Sequence, residues 1–243
     1  MLGAIRSLFA RATGHADRDL VAGWARRNGH HWKREKDGEG FAIDGKSATA
    51  PWRLEWGRPQ RPYIAGHELR IRSVLDLPAD FQMMVMTRPL EELLAHEAFE
   101  HGTRSNQTQV GNVELEESRW LVMFPKIAFN QSKTLRNHFA GVSSLEHEGA
   151  AWIEATLAKS LERAAGTWLS ASPPFLLMTL RGRLYLRLQL ADADESDLVA
   201  ALDLFQIAAD AALRVARTRG DAPVAWKATS STAWQSLPPD PPR

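Results

Sequence analysis

The chain has 243 residues, of which 44% are apolar and 24% charged, with 30 Lys/Arg against 29 Asp/Glu and no cysteine. This is an ordinary globular composition, long enough to bury a core without help from a metal or crosslink. The missing thiols exclude disulfides, Cys-ligated zinc, iron–sulfur clusters and thiol nucleophiles. No apolar run approaches the roughly 20 residues that span a bilayer, so no transmembrane segment is expected.

Charge is unevenly placed. Residues 1–88 carry 15 Lys/Arg and 10 Asp/Glu, residues 89–170 carry 7 and 11, and residues 171–243 carry 8 and 8. A basic first third and an acidic second third imply either mutual attraction, within one fold or across a homodimer, or a basic binding surface. Arginine outnumbers lysine by 23 to 7 in an alanine-rich chain, an association with GC-rich bacterial genomes.

Leu2, Ile5, Leu8, Phe9 and Ala12 fall at helical spacing, which predicts a short amphipathic helix docked on the body of the protein, with attachment to a membrane surface as the alternative. The stretch lacks the apolar core and cleavage site of a secretory signal. A second helix is predicted from Asp17 to Asn28, stopped at Gly29 and burying Leu20, Val21 and Trp24. From His30 to Arg88 the period changes to two: Trp52, Leu54 and Trp56 alternate with Arg53 and Glu55, and Leu69, Ile71 and Ser73 alternate with Glu68, Arg70 and Arg72. One apolar and one charged face are the mark of half-exposed antiparallel strands. Met83 to Met86 is apolar on both parities, which predicts a strand covered on both sides. Turns are expected at Asp44-Gly45 and Leu77-Pro78.

Pro89 opens a helix that Gly102 ends, and Thr103 to Ser118 reads as a polar loop. Trp120 to Ile127 is then expected as a strand. Ser143-Ser144-Leu145-Glu146 matches a capping box opening a helix with Ile153, Leu157, Leu161 and Ala164 on one stripe and Gly166 as its stop. Phe175 to Leu180 and Arg183 to Leu190 form a predicted hairpin around Arg181-Gly182. Asp194 caps a long helix carrying Leu198, Ala201, Leu202, Phe205, Ala209 and Ala212 inward, and the tail from Gly220 ends Pro-rich and unstructured. The predicted class is α+β in two halves, each an antiparallel sheet packed against helices, over residues 1–102 and 119–219 with the loop 103–118 between them and the tail 220–243 behind.

Gly40 to Ser47 matches the phosphate-cradling pattern G-x-x-x-x-G-K-S, which requires a buried strand before it and a helix after it. The charged run before it and Pro51 soon after it argue for a hairpin turn with Lys46 solvated. His96 and His101 share a helix with Glu97 and Glu100, but a spacing of five turns the imidazoles about 140° apart, and one ion cannot take both. Neither nucleotide, metal nor other cofactor is expected. No Gly-x-Ser-x-Gly elbow is present. The segment Trp52 to Tyr63 interleaves arginine with aromatics, making Arg53, Arg58, Arg61, Tyr63, Arg70 and Arg72 the candidate binding residues, for a protein or anionic ligand rather than nucleic acid. Their alternative role is ion pairing within the sheet, through Glu55 and Glu68.

The runs Trp52 to Tyr63, Arg119 to Lys126 (RWLVMFPK) and Leu180 to Leu186 (LRGRLYL) resemble a set of uncharacterised proteobacterial proteins of similar size. The resemblance implies a source and no activity. The sequence is therefore read as that of a cytoplasmic binding or interaction protein without catalysis. The alternatives are an enzyme, such as a hydrolase, with a site assembled from scattered residues, and a peripheral membrane protein held by residues 1–12.

Overall fold

In a computed structural model, residues 18–35, 39–104, 116–130 and 132–221 are described. The predictions for residues 1–12, for most of the loop 103–118 and for the tail lie outside them. The elements in order are α1 (residues 18–27), β1 (His31–Arg34), β2 (Phe41–Lys46), β3 (Pro51–Gly57), β4 (Glu68–Val74), β5 (Met83–Thr87), α2 (Arg88–Arg104), α3 (Glu116–Met123), α4 (Lys133–His138), β6 (Phe139–Ser143), α5 (Glu146–Trp152), α6 (Ala155–Ala165), β7 (Phe175–Leu180), β8 (Arg183–Gln189) and α7 (Glu195–Asp221).

The class is α+β, and the two expected sheets are one. All eight strands join in the order β1-β2-β3-β4-β8-β7-β5-β6, every neighbouring pair antiparallel. The union is made by β4 with β8, where Ile71 faces Leu186. Because side chains alternate along a strand, the register fixes two faces. Ile43, Leu54, Ile71, Leu186, Leu177 and Val85 run across the inner face in one row, with Gly141 at its end. Against this face lie α7, through Leu198, Leu202, Phe205, Ala209 and Ala212, α6, through Leu157 and Leu161, and α1, through Val21 and Ala25.

One residue along, the outer face begins charged and ends apolar. Asp44, Arg53 and Arg72 lead through Tyr185 to Met178, Met84 and Val142. The apolar part is covered by Leu90 and Leu94 of α2 and Trp120 of α3. The strand Met83 to Met86 is thus buried on both sides, as its double parity predicts. Among the described residues no helix is long and apolar enough to cross a membrane.

Several elements depart from expectation. Trp120 to Ile127 is not a strand: α3 runs from Glu116 to Met123, with Trp120 and Phe124 one turn apart and their rings 5.3 Å from each other. A short apolar run carries no period of its own, and here packing against α2 selects the helix. Residues after α3 instead cover the sheet edge at β6, Ile127 N–H donating to Gly141 O and Ser143 N–H to Pro125 O. The helix expected from Ser143 is two helices, broken where Ala155 takes φ +49°, with Ile153 still fully buried between them. Leu20 points outward, at 58% exposure, while Ala25 takes the inward place.

Two glycines have identifiable reasons. Arg181 (φ +50°) and Gly182 (φ +75°) make the two-residue hairpin turn whose left-handed pair matches strand twist. Asp44-Gly45, by contrast, is not a turn. Both residues belong to β2, and the chain reverses at residues 47–50, where Ser47 Oγ accepts from the N–H groups of Thr49 and Ala50. Gly45 stands opposite Trp52, whose indole lies so close that an added Cβ would come within 2.2 Å of a ring carbon. The His30 ring packs against the indole in an edge-to-face contact, centroids 4.8 Å apart, so the ring has little room to move. Substituting Gly45→Ala is expected to cost about 1–3 kcal/mol, as other overpacked sites do. In a chain of this length that lowers the melting midpoint by roughly 2–12 °C, and an unchanged thermal melt would show that the indole can shift.

Candidate functional site

The charged part of the outer face is built on β2, β3, β4 and β8, whose alternating apolar residues are held in the core and so direct Arg53, Glu55, Glu68, Arg70, Arg72, Arg183 and Arg187 the other way. Arg53 opposes Arg72 directly, and Arg70 opposes Arg187. Like charges so placed repel. Two glutamates resolve the repulsion. Glu55 accepts from Arg53 Nε at 2.6 Å and Arg70 Nε at 3.4 Å and lies 3.7 Å from Arg72. Glu68, 0% exposed, accepts from Arg187 at 2.5 Å, Arg70 at 3.4 Å and the Gln60 N–H at 2.6 Å. Burial pushes the Glu55 carboxyl upward, but the Arg53 hydrogen bond and the charges of Arg72, Arg70 and Arg53 outweigh it and hold the group below its ordinary value.

The six candidate residues divide. Arg53, Arg70 and Arg72 project together from neighbouring strands, as their alternation predicts, and Arg58 and Arg61 lie on the β3–β4 connection. Arg61 and Tyr63 turn toward α3: Glu117 of α3, 0% exposed, accepts from Arg61 Nε at 2.8 Å and from the Tyr63 hydroxyl at 3.3 Å. Burial, and then the Glu117 charge, push the Tyr63 phenol above its ordinary range. Arg58 donates to Glu39 at 2.6 Å. Glu39 of the first third and Glu117 of the acidic middle third therefore neutralise the connection, and Arg61 and Tyr63 serve to bind α3 to the sheet.

The opposite end of the face is different. There Asp44, Gly45, Pro51, Trp52, Arg53, Arg72, Ser73, Val74 and Arg183 surround a cleft of about 450 Å³. Arg53 Nη1 donates to both oxygens of Asp44 at 2.9 Å. Arg72 is 53% exposed, and Arg183, also exposed, has no ion pair among the described residues. Asp44, Glu117, Arg183 and Arg187 were not among the candidates. Arg183 and Arg187 alternate with Leu184, Leu186 and Leu188, so their sharing a face was legible; that the face adjoins Arg70 and Arg72 depends on the β4–β8 pairing, which leaves no local mark.

Other chemistry stands apart from this cleft. Residues 41–46 of the phosphate-loop pattern form β2 and run through a turn into β3, so no helix N-terminus meets them. His96 is exposed, and among the described residues no three His, Asp or Glu side chains gather as metal ligands. Carboxyls raised by burial, Glu148, Asp197 and Asp203, sit on α5 and α7. No protein-family model matches the chain, and no curated protein matches its sequence.

Because the folded Glu55 carboxyl lies below its ordinary 4.5, its contribution to stability is complete above that value and is lost as pH falls through the lower, folded one. Glu55→Gln should accordingly lower the urea midpoint near neutral pH and lose less than the parent on acidification to about pH 3. Equal acid losses would assign the stabilisation to other carboxylates. Arg61→Glu, which sets a charge against buried Glu117, should cost about 3–5 kcal/mol by the same urea measurement.

Proposed function

We propose that this protein acts by binding, and that the open, charged part of its outer sheet face receives an anionic partner. One observation carries this. Of the guanidinium groups on the face, those of Arg53, Arg70 and Arg187 are bridged by Glu55 and Glu68, whereas Arg183 has no ion pair among the described residues and Arg72 has only a 3.7 Å contact to an oxygen that Arg53 already holds at 2.6 Å. Such cations sit on strands, whose rigidity keeps a binding surface in shape at little entropic cost. Their field attracts anions at a distance of about 8 Å in physiological salt. In this proposal the chain is a bacterial protein of the proteobacterial set it resembles, works in the cytoplasm, and needs no cofactor; a second copy of the chain is one partner that could supply the acidic surface.

Fluorescence anisotropy with labelled polyglutamate tests it. The parent should bind at about 20 mM salt and release the probe at several hundred millimolar, since screening shortens with ionic strength. The double variant Arg72→Glu/Arg183→Glu should abolish binding while keeping the parent's cooperative melt, because both side chains are exposed. Salt-independent binding, or binding that survives the double reversal, would place the interaction elsewhere.

A further inference from the structure

The arginines of the outer face follow a pattern. Arg53 opposite Arg72 and Arg70 opposite Arg187 are each held by a carboxylate that touches both members, Glu55 in the first pair and Glu68 in the second. Arg72 and Arg183 are a third pair of neighbours. Arg72 faces Tyr185 and Val74 faces Arg183, so the two arginines lie diagonally across β4 and β8, about 7–8 Å apart, with both side chains on the outer face. Glu55 reaches Arg72 alone, at 3.7 Å, and no carboxylate joins Arg72 to Arg183 among the described residues.

The cleft beside them carries more cations than anions. Three guanidiniums, of Arg53, Arg72 and Arg183, enter its lining, and the one carboxylate there, Asp44, has both oxygens engaged by Arg53. Trp52, also in the lining and 4% exposed, turns its indole to the inner face with Leu54 and Trp56, so the donors on the outer side of the cleft are the guanidiniums. Val74, exposed although apolar, and Pro51 give the same cleft an apolar wall. Its volume of about 450 Å³ is that of a small-molecule site, far below what a protein surface would occupy.

Building on the anion-binding role above, we propose that this cleft is a subsite for a small organic phosphate monoester, with its phosphoryl oxygens between Arg72 and Arg183 and its organic body against Val74 and Pro51. Guanidinium forks pair with phosphate oxygens two at a time. A phosphoryl group presents three oxygens in different directions, which suits donors arriving from two strands. A carboxylate presents two, in one plane.

Isothermal titration of the full chain with phenyl phosphate, inorganic phosphate and benzoate decides it. Phenyl phosphate should bind once per chain with a Kd below about 1 mM, and more tightly than either of the others. Arg183→Gln should weaken it about tenfold, the loss expected for one charge-assisted pair. Unchanged melting of Arg183→Gln confirms that the fold survives. Benzoate binding as tightly as phenyl phosphate would overturn the choice of phosphate, and binding indifferent to Arg183→Gln would overturn the site. Failure of phenyl phosphate with retained polyglutamate binding overturns the subsite and leaves the broader anion role; failure of both probes overturns the two together.

Discussion

The carboxylate of Glu68 is the point on which the two parts of this sheet meet. It is wholly buried at the start of β4, and its partners come from both sides of the junction: the Gln60 N–H and Arg70 from the first four strands, Arg187 from β8. A carboxylate out of water costs several kcal/mol unless its charge and lone pairs are satisfied, so the side chain is tolerable only where all three donors arrive together. The same requirement works in reverse on Arg70 and Arg187, which stand directly opposite each other and need an anion between them. Glu68 thus favours one register of β4 on β8, and a slip by a single residue would turn Arg70 and Arg72 into the apolar face.

From that junction the outer face divides. On β7, β5 and β6 it is apolar and disappears beneath α2 and α3; on β3, β4 and the exposed side of β8 it carries guanidinium groups that no apolar helix can cover without stranding charge. The boundary is itself ionic. Glu117 reaches from α3 to Arg61 and Tyr63, so the covering layer is fastened where the apolar surface ends. The inner face has no such division, because every strand contributes apolar side chains there and α7 crosses the β4–β8 junction.

The consequence for function is positional. Glu55 and Glu68 take up Arg53, Arg70 and Arg187, and Arg72 and Arg183 are left facing a cleft whose walls are strands rather than loops. Binding there would require little ordering of the protein, since Arg53 is already fixed between Asp44 and Glu55.

Much of this was present in the sequence. The alternation of Leu69 and Ile71 with Arg70 and Arg72, the double parity of Met83 to Met86, the stripe from Leu198 to Ala212 and the turn at Arg181-Gly182 are patterns among residues within a few positions of one another, and a strand or helix imposes its period at that range. Other features had no such signature. Trp120 to Met123 is helical because α2 lies beside it, Asp44-Gly45 stays extended because Trp52 occupies the space over the glycine, and β6 is a strand because residues 125–127 and β5 flank it. The decisive hydrogen bond of the sheet, from Arg187 to Glu68, joins residues 119 positions apart. Local periodicity determined which side chains share a face of each strand. Only the tertiary structure decided which strands lie side by side, and hence which arginines were neutralised and which were left open, because pairing across such separations depends on burial and charge balance summed over the whole fold.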